Sequence, residues 1–298
     1  MFMRINRLPV SLPAPKIPDP DGASVIQELL GGQYGEMSLL HNYLFQSFNF
    51  RNKQKFRPFY DLVASMAAEE LGHAELVSNA INLMLAGSTF PGDPDVTPMK
   101  EGKDKRNTRH FIAAGQTAMP VDSMGKAWNG DNVSSSGNLV LDFLHNFYHE
   151  WGARIHKMRI YEMTDHPTAR EMIGYLLVRS EVHILAFSKA LEIMTGAELS
   201  KVLPVPELDT NKFTAAVKYE AEDEHRKLYT YSSQNYTELA KIWKGGHPRD
   251  GSELEVIQGT PEGEPVPDLD EIPEAFAPGI SHENFREIAM RLILSSKI

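Results

Sequence analysis

Four long stretches of this chain repeat apolar residues every three or four positions, and each repeat is interrupted by an acid or an imidazole on the apolar stripe itself. That pattern constrains the fold more than any other feature. The period is that of an amphipathic helix. A polar group on the inward stripe must find a partner in the core or carry a heavy desolvation cost. The first stretch, 24–50, places Leu29, Gly32, Glu36, Leu40, Tyr43 and Ser47 on one face. The second, 58–86, aligns Phe59, Leu62, Met66, Glu70, His73, Val77, Ala80 and Met84. The third, 136–163, aligns Leu139, Phe143, Glu150, Ala153, Lys157 and Ile160. In the fourth, Asp165 reads as an N-cap with Pro167 just inside, and Met172, Leu176, Ser180, His183, Phe187, Ala190 and Met194 share a face as far as Thr195.

These stretches predict an all-α protein: a four-helix bundle of two hairpins joined by a long crossover at 87–134. Gly- and Pro-rich runs bound that crossover, with a short helix expected over 104–114. Residues 1–22 read as an N-terminal arm, because Pro9, Pro13, Pro15, Pro18 and Pro20 forbid a regular helix. The bundle occupies 23–199, closed by the prolines of LPVPELD. Residues 200–298 form an extended, mostly irregular C-terminal region expected to pack on the bundle and on neighbouring subunits. Helical segments are expected within it at 214–228 and at HENFREIAMRLIL.

Glu70 and His73 lie three residues apart, so both side chains leave the helix in the same direction. This Glu-x-x-His spacing is a ligand pair of bundle di-metal sites. With Glu36, Glu150 and His183 on the other inward stripes, the core would hold three carboxylates and two imidazoles. A cation explains such a set better than several unrelated buried polar pairs do. Carboxylates and imidazoles without thiolates suit manganese or iron, and the chain has no cysteine. Two divalent ions balance three glutamates and one bridging hydroxide. Oxidation of both ions can be offset by loss of two protons from bridging solvent. Exchange of two electrons and two protons at nearly constant charge matches the chemistry of peroxide.

Other polar residues take plainer readings. Glu69 and Glu75 fall off the stripe and are expected in solvent, and Glu181 cannot share the face of His183. His145, His149 and His156 are read as surface or structural. Tyr43, two turns beyond Glu36, either reaches a bridging carboxylate or packs as a core tyrosine. Lys157, two turns beyond Glu150, either faces the same site or snorkels to the surface.

The net charge of −10 and the lack of a basic patch argue against a nucleic-acid partner. No apolar run is long enough to span a membrane. The Pro-rich start has no continuous apolar core of the kind an export signal needs, so the cytoplasm is the expected location.

At these residues the chain resembles the manganese catalases. The likeness rests on LLGGQYGEMSLLHNYLFQSFNFR, ASMAAEELGHAELV, NLVLDFLHNFYHEWGAR and EMIGYLLVRSEVHILAF, in that order, and continues into KALEIMTGAELSKVLPVPELD and IWKGGHPRDG. It implies a ferritin-like bundle with two manganese ions per subunit, joined by bridging water, hydroxide or oxo groups. The substrate would be hydrogen peroxide, disproportionated to water and dioxygen as the pair cycles between Mn(II)2 and Mn(III)2. By resemblance Glu36 and His73 bind one ion, Glu150 and His183 bind the other, and Glu70 bridges them. Tyr43 matches a tyrosine that bonds the bridging glutamate, and a homohexamer is implied, with the C-terminal region wrapped over neighbours. Some members carry a glutamate and an arginine where this chain has Ser180 and His149, which leaves Glu70, Tyr43 and Lys157 as the candidates for proton handling. Ser65 replaces an acid expected near Asp61 in members that bind calcium, so calcium is not expected. Two rival readings share the bundle. One is a ferritin-like di-iron oxidase or ferroxidase, disfavoured because Ser180 breaks the second Glu-x-x-His pair. The other is a non-catalytic coat or shell protein.

Overall fold

The inward stripes become real helices in the computed structural model, which describes residues 6–86, 102–199, 210–231, 237–269 and 282–296. In chain order the helices are α1 (Pro20–Gly31), α2 (Glu36–Phe48), α3 (Arg57–Leu85), the short α4 (Arg109–Ile112), α5 (Leu139–Met163), α6 (Pro167–Thr195), α7 (Thr214–Ala221) and α8 (His282–Ser295). Helices α2, α3, α5 and α6 form the bundle, and α1 packs against α3 and α5. Residues 87–101, the first part of the crossover, and the LPVPELD segment lie outside the described residues.

The single helix expected over 24–50 is two. The chain breaks at Gly32 and Gly35, both extended, with ψ of 168°. Each is a place where only glycine fits. A Cβ on Gly32 would sit 2.4 Å from the Glu28 carbonyl oxygen, and one on Gly35 would sit 2.7 Å from that of Leu30. The GGQYG run is therefore a break signal rather than part of a stripe. Its consequence is functional. Glu36 becomes the first residue of α2, where the exposed N–H groups of a helix start favour a negative charge.

Other boundaries shift for local reasons. Helix α1 starts at Pro20, inside the expected arm, because proline suits a first helical turn and the Asp19 side chain accepts from Gly22 N–H at 2.8 Å. Helix α5 starts at Leu139, not at 136, where Asn138 caps Leu141 N–H at 3.1 Å. His166, not Asp165, is the N-cap of α6, and Gly196 ends that helix in the left-handed conformation at φ 71°. The helix expected over 104–114 shrinks to α4. The one expected over 214–228 stops at Ala221, because Asp223 takes a left-handed turn. A short 3-10 turn, Glu224–Arg226, then leads into a strand.

Among the described residues, short strands form two pairs, one joining the N-terminal arm to the C-terminal region and one within the C-terminal region. Strand β1 (Arg7–Leu8) pairs antiparallel with β4 (Glu264–Pro265), and β2 (Lys227–Tyr229) pairs parallel with β3 (Glu255–Ile257). The apolar core has two parts. One gathers Leu29, Leu76, Ile81, Met172, Leu176 and Phe213. The other gathers Leu39, Met66, Phe143, Phe187, Ile242 and Trp243, so the C-terminal region buries side chains against the bundle. Glu70 and His73 fall on α3 between Met66 and Leu76, and so between the two parts. Each fully buried apolar side chain contributes about 1.5–3 kcal/mol. Those two layers hold a polar layer that would not assemble on its own.

Candidate metal centre

The five stripe residues meet in that polar layer. Glu36, Glu70, His73, Glu150 and His183 are each exposed by 2% or less. One turn of α3 aims Glu70 and His73 together: His73 Nδ1 lies 3.1 Å from Glu70 Oε2 and 3.9 Å from Glu36 Oε2. On the far side, His183 Nδ1 lies 2.9 Å from Glu70 Oε1 and 3.1 Å from Glu150 Oε1. Two three-residue clusters result, Glu36–Glu70–His73 and Glu70–Glu150–His183, each with its donor atoms within 4.8 Å of one another. They share Glu70, which offers a different oxygen to each.

Tyr43 and Lys157 also face this layer. The Tyr43 hydroxyl donates to Glu150 Oε1 at 2.6 Å, not to Glu70 as the family resemblance suggests. Lys157 does not snorkel. It is buried, its Nζ lies 2.9 Å from Glu36 Oε1, and it donates to Ser180 Oγ at 3.0 Å. Ser180, where the resemblance gives some members a glutamate, is thus the landing point of a lysine. His149 is buried and structural: its Nε2 lies 3.0 Å from the Gln33 carbonyl. Asp61 is held by Arg57 at 2.8 Å.

Glu69 contradicts its sequence reading. It is 1% exposed rather than solvated. Its carboxylate spans the outer nitrogens of both histidines, with Oε1 at 3.6 Å from His73 Nε2 and Oε2 at 3.3 Å from His183 Nε2. Arg179 fixes it with an Nε donor at 2.5 Å, while Arg179 NH1 donates to the carbonyls of Glu224 and Lys227 at 2.8 and 2.9 Å. Helix α3 has neighbours on more than one side, so its buried surface is wider than a single stripe. The signal available in sequence was Arg179, a charge within the strongly apolar run of α6 that needs an acid. Glu181 is likewise buried, 3.1 Å from His247 Nε2.

The titration of these groups has one physical origin. Burial pushes the Glu36 carboxyl up to about 8, with Glu70 adding repulsion that Lys157 only partly offsets. Burial also opposes the charged form of His73, but Glu70 and Glu69 overcome it and hold the imidazolium at about 9. For His183, burial is again outweighed, here by Glu69 and Glu150, and the ring is raised well above its ordinary value. Burial opposes the charge of Glu69 and Glu70 too, yet Arg179 with the two imidazoles holds Glu69, and the two imidazoles hold Glu70, well below the usual carboxylate range. Packed carboxylates demand positive charge, and the imidazoles take up protons to provide it.

A divalent ion supplies that charge at the same atoms. Oε2 of Glu36 and Oε2 of Glu150 are buried without a hydrogen-bond donor, and Glu36 Oε1 meets the Lys157 ammonium. Buried carboxylate oxygens of this kind are costly unless a cation meets them. The inward nitrogens are both Nδ1, and each outer Nε2 faces a carboxylate, the usual orientation of a metal-bound histidine. The donor set therefore fits hard divalent ions of the manganese and iron type.

Fold and site together define a class: four-helix bundles that hold a pair of metal ions between facing helices. Within that class the chain belongs to the family of manganese-containing catalases, whose family model matches residues 1–297. It is 36% identical to the manganese catalase of Bacillus subtilis over 199 residues, which is 64% of this chain and 71% of that protein. It is 35% identical to the manganese catalase of Lactiplantibacillus plantarum over 197 residues, again 64% and 71%. The crystal structure of KatB, a manganese catalase from Anabaena, superposes with a TM-score of 0.55 at 20% identity, covering 87% of this chain and all of that one, which supports the shared fold.

Proposed function

We propose that this chain is a dimanganese catalase in which Glu36 and His73 hold one ion, Glu150 and His183 hold the other, and Glu70 bridges them. The observation that carries this reading is the split of Glu70, with Oε1 at 2.9 Å from His183 Nδ1 and Oε2 at 3.1 Å from His73 Nδ1. One carboxylate oxygen thus serves each centre. The reaction is 2 H2O2 → 2 H2O + O2. One peroxide gives up two electrons and two protons as it becomes dioxygen, and the other takes both as it becomes two waters. No outside reductant is needed. When bound, the manganese pair supplies storage for the two electrons, between Mn(II)2 and Mn(III)2, together with Lewis acidity.

The chain's own groups do the rest. The apolar layers above and below exclude bulk water. Glu69, held by Arg179, orients both imidazoles through their outer nitrogens. Burial raises the Tyr43 hydroxyl well above its ordinary value, and the neighbouring Glu150 adds to it, so Tyr43 keeps its proton on Glu150 Oε1. Lys157, whose burial is outweighed by Glu36 and Glu150, also stays protonated. Both act as fixed donors that tune the carboxylates around them, and Glu70 remains the group nearest both centres.

We also carry over a homohexamer in the cytoplasm, with an arm, a bundle and a C-terminal region that reaches neighbouring subunits. Exposed Ile288, Met290, Leu292, Ile293 and Leu294 on α8 support an assembly. Sedimentation and fractionation test these points. Among the described residues, no helix is long and apolar enough to cross a membrane. The reaction is tested with full-length protein loaded with manganese. One dioxygen should evolve per two peroxides consumed, with two manganese bound per chain. Two bound manganese and no dioxygen would reject the reading. Ferrous-ion oxidation by iron-loaded protein, without peroxide turnover by the manganese form, would point to the di-iron alternative.

A further inference from the structure

A second cluster of ligand-type side chains lies outside the catalytic layer, where the C-terminal region meets α6 and α7. His225, in the 3-10 turn, and His247 and Asp250, in the turn before Gly251, place donor atoms within 4.8 Å of one another. His225 Nε2 is 3.1 Å from Asp250 Oδ2, and His247 Nδ1 is 3.8 Å from Asp250 Oδ1. The outward nitrogens tell more. His247 Nε2 lies 3.1 Å from Glu181 Oε1, and His225 Nδ1 lies 3.5 Å from Glu220 Oε2. Each imidazole therefore has a carboxylate behind it and a shared carboxylate in front.

We propose that His225, His247 and Asp250 bind a single divalent transition-metal ion, separate from the catalytic pair, with Glu181 and Glu220 orienting the two imidazoles. Four observations support it. First, carboxylate–imidazole–metal relays fix a ring's tautomer and raise its basicity, and here both rings have one. Second, the orientation of Asp250 is set without using all its capacity: Ser252 donates to Oδ1 from its backbone N–H at 2.9 Å and from its hydroxyl at 2.7 Å, which leaves Oδ2 toward the site. Third, Glu181 is wholly buried and its Oε2 has no hydrogen-bond partner, so this carboxylate is short of positive charge. Fourth, the charges balance. Glu181, Glu220 and Asp250 outnumber the Arg249 guanidinium that contacts the two glutamates, and a divalent ion makes up the difference.

Arg249 N–H approaches His247 Nδ1 at 3.3 Å, so this nitrogen carries a lone pair, as a ligand nitrogen must. An ion takes that lone pair in place of a long hydrogen bond. Two imidazoles and one carboxylate suit zinc and its divalent neighbours. Asp250 is 43% exposed at its side chain, so the ion enters from solvent and keeps water on its open side. Glu181 stands two residues before His183 on α6. The ion would staple the 246–253 turn to the Glu224–Arg226 turn, which packs on α6.

The test uses full-length protein whose core already holds manganese, titrated with zinc(II) against a chromophoric chelator. Wild type should take up one zinc per chain without losing manganese, and the zinc absorption edge should show two imidazole neighbours. Asp250→Asn, a mild change at a half-exposed position, should weaken zinc uptake by at least about tenfold. H225Q/H247Q should abolish uptake. Zinc should also raise the melting temperature of wild type and leave that of Asp250→Asn unchanged. Zinc uptake equal in wild type and Asp250→Asn, or no uptake by wild type beyond the manganese core, overturns the proposal. If H225Q/H247Q does not fold, the Asp250→Asn comparison decides.

Discussion

Glu69→Gln is the sharpest test of how the catalytic layer is held. The substitution keeps the shape of the side chain and removes its charge. Two consequences can be worked from the geometry. Arg179 loses its anionic partner at 2.5 Å while fully buried, though its NH1 keeps the two carbonyls of the C-terminal region. Breaking one side of a buried ion pair costs about 3–5 kcal/mol, and the surviving carbonyl bonds favour the low end, about 3 kcal/mol. Separately, His73 and His183 each lose the carboxylate behind Nε2, at 3.6 and 3.3 Å. Loss of such a partner weakens metal binding about 10–100-fold, or about 1.4–2.7 kcal/mol, and here it applies to both centres.

The two effects separate by comparison with Arg179→Met. That variant loses the same ion pair but leaves Glu69 facing both imidazoles. Urea unfolding of the metal-free proteins should show both variants destabilised. Competition with a manganese chelator, with metal counted per chain, should show a much larger loss of affinity in Glu69→Gln. If the two variants lose manganese affinity equally, Glu69 acts only as a counter-ion for Arg179 and the positioning role is wrong. Manganese binding by Glu69→Gln within about threefold of wild type would refute it outright, since the expected loss is at least about tenfold.

Three further outcomes are expected. Glu70→Ala removes a donor from both clusters, so manganese per chain should fall to near zero and dioxygen evolution with it; retention of both ions would reject the bridging role. Tyr43→Phe removes the donor to Glu150 Oε1 at 2.6 Å, so both manganese should stay bound while kcat drops by about 10–100-fold; a rate within twofold of wild type would confine Tyr43 to packing. His110 is buried beside Gln27 Oε1 at 2.9 Å, and burial lowers its pKa to about 4. Its unfolded value is near 6.5, so the unfolded state takes up the proton first as pH falls. Stability from this group is complete above about pH 6.5 and declines toward pH 4, by about 2–3 kcal/mol at pH 4.5. Urea midpoints at pH 7 and 4.5 should therefore diverge more in wild type than in His110→Gln, and parallel shifts would show that His110 does not titrate in this way.

The inward faces of the bundle were legible because periodicity reports burial on one side of a helix. Glu36, Glu70, His73, Glu150 and His183 could be placed by that rule and are all buried together. The same rule misplaced Glu69, and for a physical reason. A stripe assumes that one face is buried and the other wet. Helix α3 is packed by α1, α2 and α6, and α6 is covered as well by α7 and the turn at Glu224–Arg226, so both helices bury residues beyond one stripe. A charge such as Arg179 or Glu181 within those wide apolar surfaces cannot be solvated, and it recruits an opposite charge from another element. Glu69 answers Arg179, and the Arg249 guanidinium approaches Glu181. Such pairings join residues far apart in the chain, so no local period reveals them. The break at Gly32–Gly35 was hidden differently: Gly32 fits the stripe by spacing, but it and Gly35 are needed for backbone approaches closer than any Cβ allows. The sequence signal that survives both failures is composition in context: a charge in an apolar run, or paired glycines before an acid, marks a place where tertiary structure overrides the local pattern.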